Sequence, residues 1–199
     1  METYRTVSGR GQGQFEIRGS EFIGHVAPAR TVTEAETFIE AVSEEYADAT
    51  HNVPAYRVHE EGGPLREWAD DAGEPGGSAG KPALNVLTQE EVENVVAVVT
   101  RYYGGTKLGV GGLARAYSRG VKVALEDAEI VERRPHETFT ITVAYDDSGT
   151  VRGILESIDG AFDATYEETV TFELRVPKTD AHAVRDRIRS ATSGRATFE

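Results

Sequence analysis

Between positions 101 and 119 the chain reads RYYGGTKLGVGGLARAYSR, five glycines and four cations without one acid. Glycines let a backbone approach another molecule and turn its N–H groups outward, and a helix N-terminus adds a partial positive charge; together they suit phosphate. Arg101 and Lys107 would add whole charges, as would Arg115, Arg119 and Lys122 on the helix that follows. The last three stand at i, i+4 and i+7 and share a helix face. The candidate anion- or RNA-binding set is therefore these five cations with Gly104, Gly105, Gly109, Gly111 and Gly112. The same residues also fit an architectural reading, in which the glycines permit tight strand-to-helix packing and the cations are a solvated face.

Two familiar phosphate motifs do not account for the stretch. No glycine-lysine step is followed by serine or threonine, as a P-loop requires. Gly109 to Ala114 fits G-x-G-x-x-A, but Tyr102 to Leu108 separate it from the preceding strand, where a dinucleotide fingerprint would begin. A second group of reactive types lies upstream: His51 beside Asn52, then Asp70, Asp71, Glu74 and Ser78. A histidine with carboxylates can act as general acid and base or hold a metal. No HxxxH or HExxH spacing and no nucleophile elbow accompanies it, so catalytic, metal and cofactor roles are not expected. His51, Asp71, Glu74 and Ser78 form a possible ligand loop, with Glu74 equally able to brace it. Tyr102, Tyr103 and Tyr117 either stack on bases or pack core and rim. Arg185 and Arg189 read as a solvated helix face.

The elements that must position these groups are legible from periodicity. Phe15 to Ala29 predicts two strands around Gly19-Ser20, and Thr33 caps a helix from Glu34 to Ala47. Val53 to His59 predicts a strand, followed by a long glycine-, proline- and acid-rich loop to Gly80 and a short helix from Pro82 to about Val92. The apolar run Asn94 to Thr100 predicts a strand buried on both faces, and Gly109 to Ala128 a long helix. The pattern resets near Arg133-Arg134-Pro135, which sets domains at 1–134 and 135–199. The second predicts strand (Thr138 to Tyr145), helix (Ser148 to Ile158), two strands (Ala161 to Tyr166, Glu168 to Val176), helix (Asp180 to Thr192) and strand (Arg195 to Phe198). That βαββαβ order is the ferredoxin-like arrangement, and the class is α+β.

Composition sets the background. The 199 residues carry 34 acids against 21 bases, and no cysteine, which closes disulfide and thiolate chemistry. The excess of acid predicts a surface adapted to concentrated salt, as in a halophile. Within it, Asn94 to Leu125 contains no aspartate or glutamate. No apolar run reaches the roughly 20 residues of a membrane span, and METYRTVSGRGQGQ lacks a signal-peptide core, so the expectation is cytoplasmic without a membrane partner.

ATHNVPAYR, DAGEPGGSAGKPAL and NVVAVVTRYYGGTKLGVGGLARAYSRGV follow one another in the order and spacing of the IMPACT/YigZ family. The resemblance covers Ser20 to Ala128, and the C-terminal part looks like the ferredoxin-like domain of bacterial and archaeal members. It departs at Ala72, where the family usually has a second aspartate before Gly73-Glu74-Pro75, and at Ser78 in place of threonine. It implies an N-terminal domain similar to domain 2 of ribosomal protein S5, and a C-terminal domain similar to an elongation-factor module. Its eukaryotic relatives modulate translation initiation by competing for an activator of a stress kinase. That pathway does not carry over, because this sequence lacks a partner-binding module of the eukaryotic kind. The expected function is non-enzymatic regulation of translation through RNA or the ribosome. The alternatives are a phosphate- or nucleotide-binding enzyme using the His51 and Glu74 loops, and an adaptor for a translation-associated protein.

Overall fold

In the computed structural model, which describes residues 3–59 and 63–199, the chain divides into units Tyr4–Arg133 and Arg134–Glu199. The first runs β1 (Tyr4–Val7), β2 (Gly11–Ile17), β3 (Ser20–Pro28), α1 (Val32–Glu45), β4 (His51–His59), β5 (Leu65–Ala69), α2 (Gly80–Gln89), β6 (Val95–Tyr102), α3 (Gly109–Ala128) and β7 (Ile130–Arg133). β1 pairs with β7, and the other strands form an antiparallel sheet in the order β2-β3-β6-β4-β5.

Alternation along the central strand β6 divides the core. Val95, Ala97 and Val99 face α2 and α3 together with Tyr117, Ala116 and Ala124, whereas Val96 faces Ala35 of α1 with Tyr56 and Val58. Helix α3 reaches the sheet through glycine: a side-chain carbon built at Gly24 would lie 1.9 Å from the Gly120 carbonyl oxygen, and one at Gly120 would lie 2.6 Å from Val99 Cγ1. The β2–β3 hairpin turns on Arg18 and Gly19, both at positive φ (50° and 80°), as tight two-residue hairpins require.

Several boundaries differ from the sequence reading. The cap of α1 is Thr31, not Thr33; its hydroxyl accepts from the Glu34 N–H at 3.1 Å while the Glu34 carboxylate accepts from the Arg30 N–H at 2.6 Å. β5 lies inside the expected loop of 60–80, of which 60–62 fall outside the described residues; charged, five residues long and at a sheet edge, LREWA gives little strand signal. β1, β2 and β7 were likewise not expected as strands, apart from the end of β2.

The second unit runs β8 (His136–Val143), α4 (Tyr145–Leu155), β9 (Ala161–Tyr166), β10 (Val170–Pro177), α5 (Lys178–Ala191) and β11 (Thr197–Phe198). Its sheet order β11-β8-β10-β9, antiparallel throughout, is the ferredoxin-like topology. Tyr145 opens α4 rather than ending the preceding strand. Phe139, Ile141, Phe172 and Leu174 on the sheet pack against Val151, Leu155, Val184 and Ile188 on the helices. No helix among the described residues is long and apolar enough to cross a membrane.

The contact of Gly24 with α3 gives a direct test of this packing. Gly24→Ala should cost about 3 kcal/mol, the upper end of the usual penalty for overpacking, read as a lower denaturant midpoint at unchanged slope. An unchanged midpoint would contradict it.

Candidate functional site

Beneath the loop between β5 and α2, a carboxylate is buried at the meeting point of three elements. Glu74 Oε1 accepts from Arg101 Nη1 of β6 at 2.7 Å and from the Tyr117 hydroxyl of α3 at 2.6 Å. The Glu74 and Arg101 side chains are only 4% and 6% exposed. Burial, reinforced by the bond to Glu74, pushes the Tyr117 hydroxyl far up, so it remains a donor. His51 Nε2 stands 3.8 Å from Glu74 Oε2, and its Nδ1 lies 2.7 Å from the Ala72 carbonyl oxygen. A carbonyl oxygen only accepts, so Nδ1 carries a proton and donates it.

The loop itself is stapled by Asp71, whose carboxylate accepts backbone N–H bonds from Gly77 (2.7 Å), Gly80 (2.8 Å) and Ala79 (3.0 Å). Burial alone would raise this carboxyl, but the three N–H groups outweigh it and hold the group below the usual aspartate range. Asp70 accepts from the Ala72 N–H at 2.7 Å, and Ala72 takes a positive φ of 48°. The loop therefore closes with the chain's own carboxylates on its N–H groups. Ser78 is fully buried, and neither its hydroxyl nor Arg101 Nε has a hydrogen-bond partner.

These contacts correct part of the sequence reading. Arg101 is a buried partner of Glu74 rather than a surface ligand for an anion. Tyr117 is fully buried and Tyr102 donates to Asp48 at 2.8 Å, leaving Tyr103 the most exposed of the three tyrosines. Gly104 serves packing: a side-chain carbon there would lie 1.9 Å from the Gly19 carbonyl oxygen. By contrast Gly105, Lys107, Gly109 and Gly111 are exposed and Gly112 is half-buried, in the loop and first turn of α3, whose N-terminus has no side-chain cap.

Arg115, Arg119 and Lys122 do come together, all exposed, on one wall of a groove of about 410 Å³ between α2 and α3. Ala114 and Ser118 complete that wall, and Pro82, Asn85, Val86 and Gln89 of α2 form the other. The Ser118 hydroxyl donates to the Pro82 carbonyl at 3.3 Å across the groove. Among the described residues no carboxylate pairs with any of the three cations. The Arg119 guanidinium sits over the Phe15 ring, 4.3 Å from its centroid. A side-chain carbon at Gly111 would lie 3.5 Å from Arg115 Nη1, so this cation reaches back over the first turn of α3. Asn85 and Gln89 were not singled out from the sequence; their spacing of four on a helix was the available signal.

The comparisons with known proteins agree with the architecture. A model of the Impact N-terminal domain matches residues 18–125. The chain belongs to the IMPACT family. A second model, a domain of unknown function, DUF1949, matches residues 141–195. Among similar family members, YvyE of Bacillus subtilis (strain 168) is 35% identical over all of this chain and 91% of its own length. YigZ of Escherichia coli (strain K12) is 34% identical over 81% of this chain and 80% of its own. A crystal structure of a hypothetical protein superimposes with a TM-score of 0.74 at 29% identity, covering 100% of this chain and 97% of the other.

Two stability measurements test the buried anchor and the staple. Glu74→Ala leaves Arg101 buried without its carboxylate and should cost about 3–5 kcal/mol in denaturant unfolding; a loss below about 1 kcal/mol would contradict the pairing. The Asp71 carboxyl, depressed in the folded state, contributes stability that is present above its unfolded pKa of about 3.9 and is lost as pH falls through the folded value. The stability gap between wild type and Asp71→Asn should therefore be full at neutral pH and close on acidification below about pH 4. A gap independent of pH would contradict it.

Proposed function

We propose that the protein is a non-enzymatic regulator of translation that binds RNA or the ribosome through the basic face of α3. The observation that carries this reading is the row Arg115, Arg119 and Lys122, exposed and unpaired by acid along a groove, in a chain of formal charge −13. A solvated face on so acidic a protein would ordinarily be laced with carboxylates. Here the acid-free interval from Asn94 to Leu125 spans both β6 and most of α3. Lys107 and the uncapped first turn of α3 extend the same electropositive surface. Membership of the IMPACT family supports the link to translation, through the relatives whose role in initiation the sequence resemblance implies.

The enzyme reading has less support. Glu74 Oε1 is occupied by Arg101 and Tyr117, and the backbone N–H groups of Gly77, Ala79 and Gly80 are occupied by Asp71. Both arrangements brace a loop and leave its carboxylates little capacity for a substrate. The adaptor reading would engage the same face by a protein, and nuclease treatment separates the two.

Ribosome co-sedimentation from lysate tests the proposal, comparing wild type with the Arg115→Glu/Arg119→Glu double variant. Wild type should travel with ribosomal fractions and be released by nuclease, and the variant should remain in the supernatant. Equal co-sedimentation of the two would overturn the assignment of this face. If the three cations each neutralise one phosphate of a single strand, log Kd should rise with log salt at a slope of about 2.

A further inference from the structure

We infer that the groove between α2 and α3 seats one unpaired nucleotide of an RNA strand, so that the protein selects single-stranded over duplex RNA. This inference rests on the reading of α3 as an RNA-binding face and names what that face recognises. The groove has the parts that a splayed-out base requires. Pro82 and Ala114, half-buried on the two walls, supply apolar surface for the flat of a ring, and the amides of Asn85 and Gln89 on the α2 wall can both donate to and accept from its polar edge. Arg115 and Arg119 line the cation wall, where phosphate lies when a base points inward, and planar guanidinium groups also stack on bases. Phe15 holds the Arg119 guanidinium in place, which reduces the ordering cost of binding.

Size and charge limit the occupant. A volume of about 410 Å³ lies at the low end for small-ligand sites and suits a single nucleotide. A duplex keeps its bases stacked and paired, and can offer this groove only phosphate and sugar. From Arg115 to Lys122 the basic row rises seven steps of helix, about 10 Å at 1.5 Å per residue. At its far end Lys122 is shared with a second groove, which is lined by Glu90, Glu126 and Glu129. A phosphate chain following the row from Arg115 meets those carboxylates beyond Lys122, so the favourable path is short. Short reach combined with a base-sized groove favours local single-stranded contacts over the longer backbone tracking of a duplex binder.

The test is fluorescence anisotropy of the full chain with labelled ten-nucleotide single strands and with a duplex of the same length, at matched salt. Wild type should bind a single strand at least about 10-fold more tightly than the duplex. Asn85→Ala/Gln89→Ala should weaken single-strand binding by about 5- to 10-fold, the scale of one to two lost hydrogen bonds, and leave duplex binding and the salt slope unchanged. Ala114→Leu, which fills the groove without altering charge, should have the same selective effect. Thermal melts of both variants show whether they remain folded. Equal affinity for single strand and duplex, with neither variant changing it, would overturn the inference while leaving the RNA-binding face standing. Absence of binding to either RNA would overturn both.

Discussion

The buried carboxylate of Glu74 is the constraint on which the N-terminal unit depends. A charge held 4% exposed is tolerated only when paired and hydrogen-bonded. Glu74 meets that condition by drawing Arg101 from the central strand and Tyr117 from the long helix. Removing Glu74 takes the shared acceptor from both Arg101 and Tyr117 in the interior, so loop, strand and helix are fixed relative to one another. The basic row is on the same helix as Tyr117, and α2 begins directly after the loop that Asp71 staples. The two walls of the groove therefore take their positions from the buried network, although no residue of that network reaches the groove.

Much of this was legible in the sequence, for reasons that can be stated residue by residue. The apolar run of β6 and the period of α3 are strong signals because burial on two faces, or on one stripe, leaves no choice of residue type. Alternation in β6 also carried a clue to Arg101: counting by two from Val95 through Ala97 and Val99 places it on the face toward α3. The conspicuous charge concealed that clue. Tyr117 similarly lies in the apolar stripe with Leu113, Ala116 and Ala124. What could not be read was long-range. β1 and β7 are short and stabilised by each other across more than 100 residues, and the amides of Asn85 and Gln89 matter only because α2 lies against α3.

Charge and shape act together in the proposed function. A surface carrying a large excess of acid repels polyanions over most of its area. On the proposed reading, the part of α3 from Gly109 to Leu125, which carries no acid, is the favoured approach for RNA, and Glu126 and Glu129 beyond it limit how far the contact runs. In concentrated salt, where screening falls to a few ångströms, long-range steering is lost and only close contacts count. On the proposed reading, a groove that adds apolar and amide contacts to three cations would keep affinity in such salt, because these contacts are less sensitive to it than phosphate pairing.

The central claim is that RNA meets this protein at α2 and α3. Ultraviolet cross-linking of the full chain to ribosomes, followed by mass spectrometry of the attached peptides, tests it most directly. The account predicts cross-links concentrated in residues 80–89 and 109–128. Cross-links confined to residues 136–198, or none at all, would contradict it.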